Sequence, residues 1–245
     1  MSEISKSDDY LVIQSENNFP TASGLASSAS GIASFVTAYD AHYEMNLGIS
    51  DRIEACMLGS GSAPRSLIGG FVLMDHNNNY SCTQILQKED WPVDVLICIA
   101  SREAKKISSR EGMEISKRTS PLYHDWLGRN DKDISLALEA IKEKDMSRLE
   151  NVTEENCNFM HEVMKTSKPP IIYMNDVTHS CVAEIENLRA SGHKLFYTVD
   201  AGPQIKIICD PKSANTIKDT ITHRTDVIDI IHTRLGGSPR IIDEN

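Results

Sequence analysis

Four short segments concentrate the residue types that handle anionic substrates. The first, Pro20-Thr-Ala-Ser-Gly-Leu-Ala-Ser-Ser-Ala-Ser-Gly31, is built almost wholly from small residues. Small side chains let a backbone approach a ligand closely, and a helix start beyond them offers unpaired N–H groups and a positive dipole end. The hydroxyls of Ser23, Ser27 and Ser28 add donors suited to phosphate oxygens, although the GxxxxGK[ST] signature is absent. The same composition also suits a tightly packed helix start. The second segment, Gly59-Ser60-Gly61-Ser62-Ala63-Pro64-Arg65-Ser66, carries a guanidinium that can fork onto a carboxylate or phosphate. A flexible turn with a surface arginine fits it as well. The third, Ser108-Ser109-Arg110-Glu111-Gly112-Met113, repeats the theme at a helix start, where a capping serine and a solvated Arg–Glu pair are the plainer alternative. The fourth, Asp200-Ala201-Gly202-Pro203, sets a carboxylate at the end of an apolar strand. Such a group can be a general base, and Asp before Gly-Pro is also ordinary turn chemistry. Three hydroxyl-rich loops, two arginines and one aspartate point to a small polyanionic substrate.

These segments need elements to hold them. Tyr10 to Ser15 reads as a strand, and Ala29, Ile32, Ala33, Val36 and Tyr39 recur at helical spacing after the first loop. A second helix is expected from about Ser50 to Leu58, then strands at Gly70 to Met74 and near Thr83 to Leu86, joined by the turn His76 to Asn79. Trp91-Pro92 punctuates the chain, and a domain boundary is expected near 90. The buried-strand run Val93 to Ala100 follows. Helices are expected at about 110–118, 132–148, 152–165 and 175–190, where Ile134, Ala137, Leu138 and Ile141 form one stripe and Val177, Cys181, Ile185 and Leu188 another. Lys194 to Asp200 and Ile205 to Asp210 read as strands joined by Ala201-Gly-Pro-Gln204. The class is α+β.

The 245 residues carry 25 Lys and Arg against 35 Asp and Glu, a formal charge of −10. That balance repels nucleic acid and anionic membranes, so an anionic ligand must bind in a locally positive pocket. The six cysteines, at 56, 82, 98, 157, 181 and 209, form no CxxC pair and sit mostly in apolar runs, which suits reduced core thiols. No apolar run approaches the roughly 18 residues of a membrane span. The start, MSEISKSDDYLV, has neither the basic nor the apolar region of a leader, so the chain is expected in the cytoplasm. The eight histidines show no HExxH or HxxxH pattern and read as surface or core residues. No motif suggests a transition metal, a nicotinamide or a serine-hydrolase triad.

In order along the chain, NNFPTASGLASSASG, GSGSAPRSLIGGFV, SSREGM, PPIIYMN and YTVDAGP resemble the diphosphomevalonate decarboxylases of the GHMP kinase superfamily, over about Asp9 to Asp210. The resemblance implies an α+β, two-domain sandwich. Residues 1–90 would form a ribosomal-protein-S5-like N-terminal domain with the ATP-phosphate loop, and 91–245 a ferredoxin-like C-terminal domain. It implies ATP-dependent decarboxylation of (R)-5-diphosphomevalonate to isopentenyl diphosphate, with magnesium accompanying ATP and no metal site of the protein's own. Ser23, Gly24, Leu25, Ala26, Ser27 and Ser28 would hold the ATP phosphates. Asp200 would face the C3 hydroxyl, Arg65 would grip the substrate carboxylate, and Ser60 and Ser62 would line the site. Ser109 and Arg110 would hold the diphosphate, with Met113 nearby. A homodimer is the expected assembly. Pro64, Val199 and Gln204 stand where the family has Cys, Phe and Asn. Family members also carry a further N-terminal stretch with a lysine and tyrosine motif. Without it the N-terminal domain is expected to be short of strands, with a sheet edge left open. Related readings are a mevalonate C3-kinase, a phosphomevalonate decarboxylase, and a non-catalytic short form; retention of Asp200 argues against the kinase, and Ser109-Arg110 argues for a diphosphate.

Overall fold

The structure, a computed structural model, describes residues 10–242. The start read above for a leader lies partly outside them, in residues 1–9. The chain divides into two compact units. Of the described residues, the first unit takes 10–20, 26–89 and 236–242, and the second takes 21–25 and 90–235.

In the first unit, α1 (Ser27–His42) and α2 (Ile49–Gly59) pack with a 3-10 turn (Ala63–Leu67) around Ala33, Val36, Ile53, Cys56 and Leu67. Alanines on α1 and α2 allow this close approach. The strands β1 (Phe71–Asp75) and β2 (Ser81–Leu86) form an antiparallel hairpin. Among the described residues they pair only with each other. The C-terminal segment meets this unit backbone to backbone, with the Gly70 N–H donating to the Gly236 carbonyl at 3.0 Å. The strand expected over Tyr10 to Ser15 is not formed. That stretch has no regular structure, and Tyr10 and Val12 lie fully exposed. An alternating apolar sequence without a pairing partner has neither ladder bonds nor a buried face to hold it extended.

The second unit is built on a four-stranded antiparallel sheet of order β4-β5-β3-β6, from β3 (Asp94–Ile99), β4 (Leu195–Val199), β5 (Ile205–Cys209) and β6 (Asp229–Arg234). Between β3 and β4 run α3 (Ser109–Thr119), α4 (Tyr123–Glu143), α5 (Met146–Lys165) and α6 (Asp176–Ala190), and α7 (Ala214–Arg224) joins β5 to β6. This is the ferredoxin-like split βαβ order, with extra helices in the first crossover. Period-two burial sets one face of the sheet against helices: Leu96, Cys98, Leu195, Val199, Ile205 and Ile207 pack with Ile185, Leu188, Ile217 and Ile221.

Three departures from the sequence pattern have physical causes. The helix expected over 132–148 is two helices. Lys144 turns left-handed (φ 57°), and Asp145 caps α5 by accepting from the N–H groups of Ser147 and Arg148. The first helix also begins earlier, at Tyr123. Finally, α7 and β6 lie beyond the elements that periodicity marks. Alternation is weak in the half-exposed β6, whose place is fixed from β3: buried Asp94 accepts from His232 Nε2 at 2.6 Å and Arg234 Nε at 2.8 Å.

Candidate active site

The second unit contains Asp200 at the end of β4. Two residues one turn apart on α5 hold the strand end beneath it. The Val199 N–H donates to Cys157 Sγ at 3.2 Å, and His161 Nε2 meets the Val199 carbonyl at 3.0 Å. Burial drives the His161 pKa below its usual value, so the ring is held neutral and donates from Nε2. Val199 faces the core, and the next residue turns the other way: the Asp200 side chain is 61% exposed. On the same side, one step out of phase with buried Ile205 and Ile207, stands Lys206, 13% exposed. Its Nζ donates to Asp200 Oδ2 at 2.9 Å and to the Gly24 carbonyl at 2.7 Å.

That second bond ties in the small-residue loop, whose residues 21–25 belong to this unit. Gly24 (φ 87°) packs directly on Gly202: a Cβ on Gly202 would stand 2.3 Å from the Ser23 carbonyl oxygen. Only hydrogen fits on either side of this crossing. Ala22 (φ 53°) and Ala26 (φ 51°) are also left-handed, so residues with positive φ alternate along the loop. Alternation in the sign of φ is the backbone pattern found in anion-binding concavities. The strain of two left-handed alanines, about 1–2 kcal/mol each, marks a loop shaped for more than chain reversal.

Lys105 closes the other flank. Its N–H donates to the Ala22 carbonyl at 3.3 Å, and its Nζ donates to the Ala201 carbonyl at 2.8 Å and to Ser109 Oγ at 2.6 Å. Its ammonium lies 5.7 Å from the Tyr173 ring centroid, and the Tyr173 hydroxyl donates to the Ile107 carbonyl. Burial lowers the Lys105 pKa, with Asp200 opposing and Lys206 reinforcing the shift. Two lysines around one turn thus supply local positive charge in an acidic chain.

Ser108 is the N-cap of α3, accepting from the Glu111 N–H, which leaves Ser109 for Lys105. Arg110 and Met113 are exposed on the first turns of the helix. An arginine at a helix N-terminus opposes the dipole, so its placement there gains nothing for the helix itself. Behind the turn, buried Gln204 accepts from the Ala100 N–H at 2.7 Å and donates to the Ser101 carbonyl at 2.6 Å. Thr178, within the capping box of α6, donates to the Pro203 carbonyl at 2.7 Å. Gln204 and the Asn175–Thr178 pair are therefore structural supports. A cleft of about 310 Å³ opens beside Asp200, walled by α4, α5 and the end of β4; of the expected site residues, Asp200 alone lines it.

The first unit holds the remaining candidates. Ala26 caps α1 without a side-chain bond, and Ser27 and Ser28 begin the helix. Ser28 Oγ stands 3.3 Å from Ser60 Oγ, which stands 3.2 Å from Ser62 Oγ, so α1 and the second loop share a chain of hydroxyls. Arg65 is exposed on the 3-10 turn, with Nη1 3.2 Å from Met74 Sδ. Within their own units, the structure brings Gly24 to Asp200 through Lys206, and Ser28 to Ser60 and Ser62. Among the described residues Arg110 and Arg65 make no ion pair, and Met113 lies exposed on α3. Lys105, Lys206 and His161 were not marked by motif. A lysine interrupting the apolar run Ile205 to Cys209 is the signal that could have found Lys206.

Two family models match the chain. One, for the mevalonate 5-diphosphate decarboxylase C-terminal domain, covers residues 95–241; the other, for the diphosphomevalonate decarboxylase-like N-terminal domain, covers residues 1–84. The diphosphomevalonate decarboxylase of Gibberella zeae is 37% identical over 227 residues, covering 88% of this chain and 59% of the relative. The chain spans about three fifths of the length of such curated relatives (59%, 55% and 62% for three of them). Among solved structures, mevalonate diphosphate decarboxylase from Staphylococcus aureus matches with a TM-score of 0.84 at 33% identity, over 91% of this chain and 69% of that one. The Enterococcus faecalis enzyme, solved to show ATP binding mediated by mevalonate diphosphate, matches with a TM-score of 0.80 at 32% identity, over 90% and 68%.

Proposed function

The chain belongs to the mevalonate 5-diphosphate decarboxylase family, whose GHMP-kinase-like fold it shares, and on that footing we propose that it converts (R)-5-diphosphomevalonate and ATP into isopentenyl diphosphate, ADP, phosphate and carbon dioxide. One observation carries the proposal: a carboxylate at a strand end, held through one oxygen by Lys206, against a glycine-crossed loop with left-handed residues.

Asp200 orients the C3 hydroxyl and takes its proton as that oxygen attacks the γ-phosphorus of ATP. The C3–O bond then breaks, and its electrons leave with the new phosphate. Asp200, largely exposed, passes the proton on to solvent, and as positive charge develops at C3 the ionised carboxylate stabilises it. The C1–C2 bonding pair becomes the C2–C3 double bond as carbon dioxide departs. Arg65 grips the carboxylate that is lost, with Ser60 and Ser62 beside it. Ser109 and Arg110 bind the diphosphate, Met113 packs near it, and the loop from Ser23 through Gly24, Leu25, Ala26 and Ser27 to Ser28 receives the ATP phosphates. Magnesium, when bound, neutralises charge on those phosphates. The loop serine hydroxyls would be oxygen donors of the kind that ion takes.

The reading extends to a cytoplasmic homodimer serving isoprenoid and sterol synthesis. All six cysteines are unbridged, as in a reducing compartment, and no helix among the described residues is long and apolar enough to cross a membrane. Family resemblance alone supports the dimer.

The test is product release from the purified chain given magnesium, ATP and (R)-5-diphosphomevalonate. ADP and carbon dioxide are expected in equal amounts. ADP alone would mean a C3 kinase, and neither product from a folded chain would favour a non-catalytic relative; both overturn the proposal. Asp200→Ala is expected to lower carbon dioxide release by about 10²–10⁴-fold while ATP still binds. Arg65→Ala is expected to impair release in the same direction.

A further inference from the structure

We propose that Lys206 is a positioning residue that fixes the Asp200 carboxylate and the glycine loop as one assembly, so that base and phosphate loop keep a constant spacing through the reaction. The inference rests on the role given to Asp200 under the proposed function. Its grounds are geometric. Lys206 is the second residue of β5, flanked in sequence by the buried Ile205 and Ile207, and an ammonium that is only 13% exposed is costly unless well paired. Both of its described acceptors are site groups, the Gly24 carbonyl at 2.7 Å and Asp200 Oδ2 at 2.9 Å. The exposures are lopsided, 13% for the lysine and 61% for the aspartate, so the cation stands behind the carboxylate. Among the described residues Oδ1 has no hydrogen-bond partner, and it is the oxygen left to face a ligand.

A half-exposed ion pair contributes about 0–1 kcal/mol by itself. The Lys206 ammonium instead spans two chain segments, holding a carbonyl of a left-handed glycine and a carboxylate of the turn that glycine touches. Lys105 does not duplicate it: its Nζ reaches the backbone of the turn, at the Ala201 carbonyl, and Ser109. Removing Lys206 therefore frees Asp200 to rotate while the Gly24–Gly202 crossing persists.

The experiment is steady-state kinetics of Lys206→Met, Lys206→Arg, Asp200→Asn and the double variant Lys206→Met/Asp200→Asn. Lys206→Met is expected to lower kcat about 10–100-fold, the scale of a misplacement near 1 Å, with KM for both substrates within about threefold. Lys206→Arg, which keeps a donor pair, is expected to recover part of the loss. The double variant should be no slower than Asp200→Asn alone, because Lys206 acts through that carboxylate. Independent, multiplying losses, or a change confined to KM, would overturn the inference. The two failures are distinguishable. A wild-type chain that releases no ADP defeats the reaction, and amide hydrogen exchange across residues 21–25 then decides the inference. Faster exchange in Lys206→Met than in wild type supports it, and unchanged exchange overturns it.

Discussion

The carboxylate of Asp200 meets the rest of its unit through one oxygen, while the backbone of the strand end beneath it is anchored by Cys157 and His161 of α5. This anchoring has a pH signature. Burial lowers the His161 pKa in the folded chain, with Asp200 opposing and Lys206 and His179 reinforcing through their charges. Between that lowered value and the unfolded value near 6.5, the unfolded chain binds a proton that the folded chain does not. Stability contributed by the neutral ring is therefore complete above about pH 6.5 and falls as the pH drops toward the folded pKa. Urea unfolding at pH 7.5 and 5.5 is expected to show a larger acid loss for wild type than for His161→Gln; equal losses would contradict the buried neutral ring. At this scale the sequence was partly legible. An aspartate closing an apolar strand before Gly-Pro stands out by pattern. Lys105, Lys206 and His161 do not, because each has a partner among the Ala22, Ala201, Gly24 and Val199 backbone carbonyls, far away along the chain. A carbonyl has no side-chain identity for a motif to display.

Among the elements, the turn after β4 and the loop ahead of α1 cross at Gly202 and Gly24 with no room for a methyl group. Gly202→Ala is expected to cost about 1–3 kcal/mol, because the clash is with backbone that cannot rotate away. Gly128→Ala is the control. Its site lies inside α4 with nothing within 4 Å of an added Cβ, so it is expected to stabilise by about 0.5–1 kcal/mol. Urea midpoints decide both, and a neutral Gly202→Ala would mean the crossing is looser than described. Helical stripes were readable where a buried face repeats, as in α6, with Cys181, Ile185 and Leu188. The break at Lys144–Asp145 was not, since a polar run of Lys and Glu continues a helix as readily as it ends one. It took the cap of Asp145 on Ser147 and Arg148 to place it. Strand β6 stayed hidden for a related reason: its register is imposed by Asp94 on β3 rather than by its own alternation. The opposite error, over Tyr10 to Ser15, shows that alternation specifies a strand only where another strand pairs with it.

At the scale of the molecule, the second unit is a ferredoxin-like sheet with its core on one face and Asp200 and Lys206 on the other. The first gathers Ser28, Ser60 and Ser62 at the start of a helix. The α+β class and the family were legible because the motifs are long and ordered, and both family models match. The central claim is that ATP activates the C3 hydroxyl by turning it into phosphate, and an isotope tests it most directly. Substrate carrying ¹⁸O in the C3 hydroxyl should be given to the chain with magnesium and ATP, and the products analysed by mass spectrometry. The account predicts one ¹⁸O in the inorganic phosphate for each isopentenyl diphosphate formed, because the C3–O bond is the one that breaks. Label released into water, or isopentenyl diphosphate formed without labelled phosphate, would contradict it.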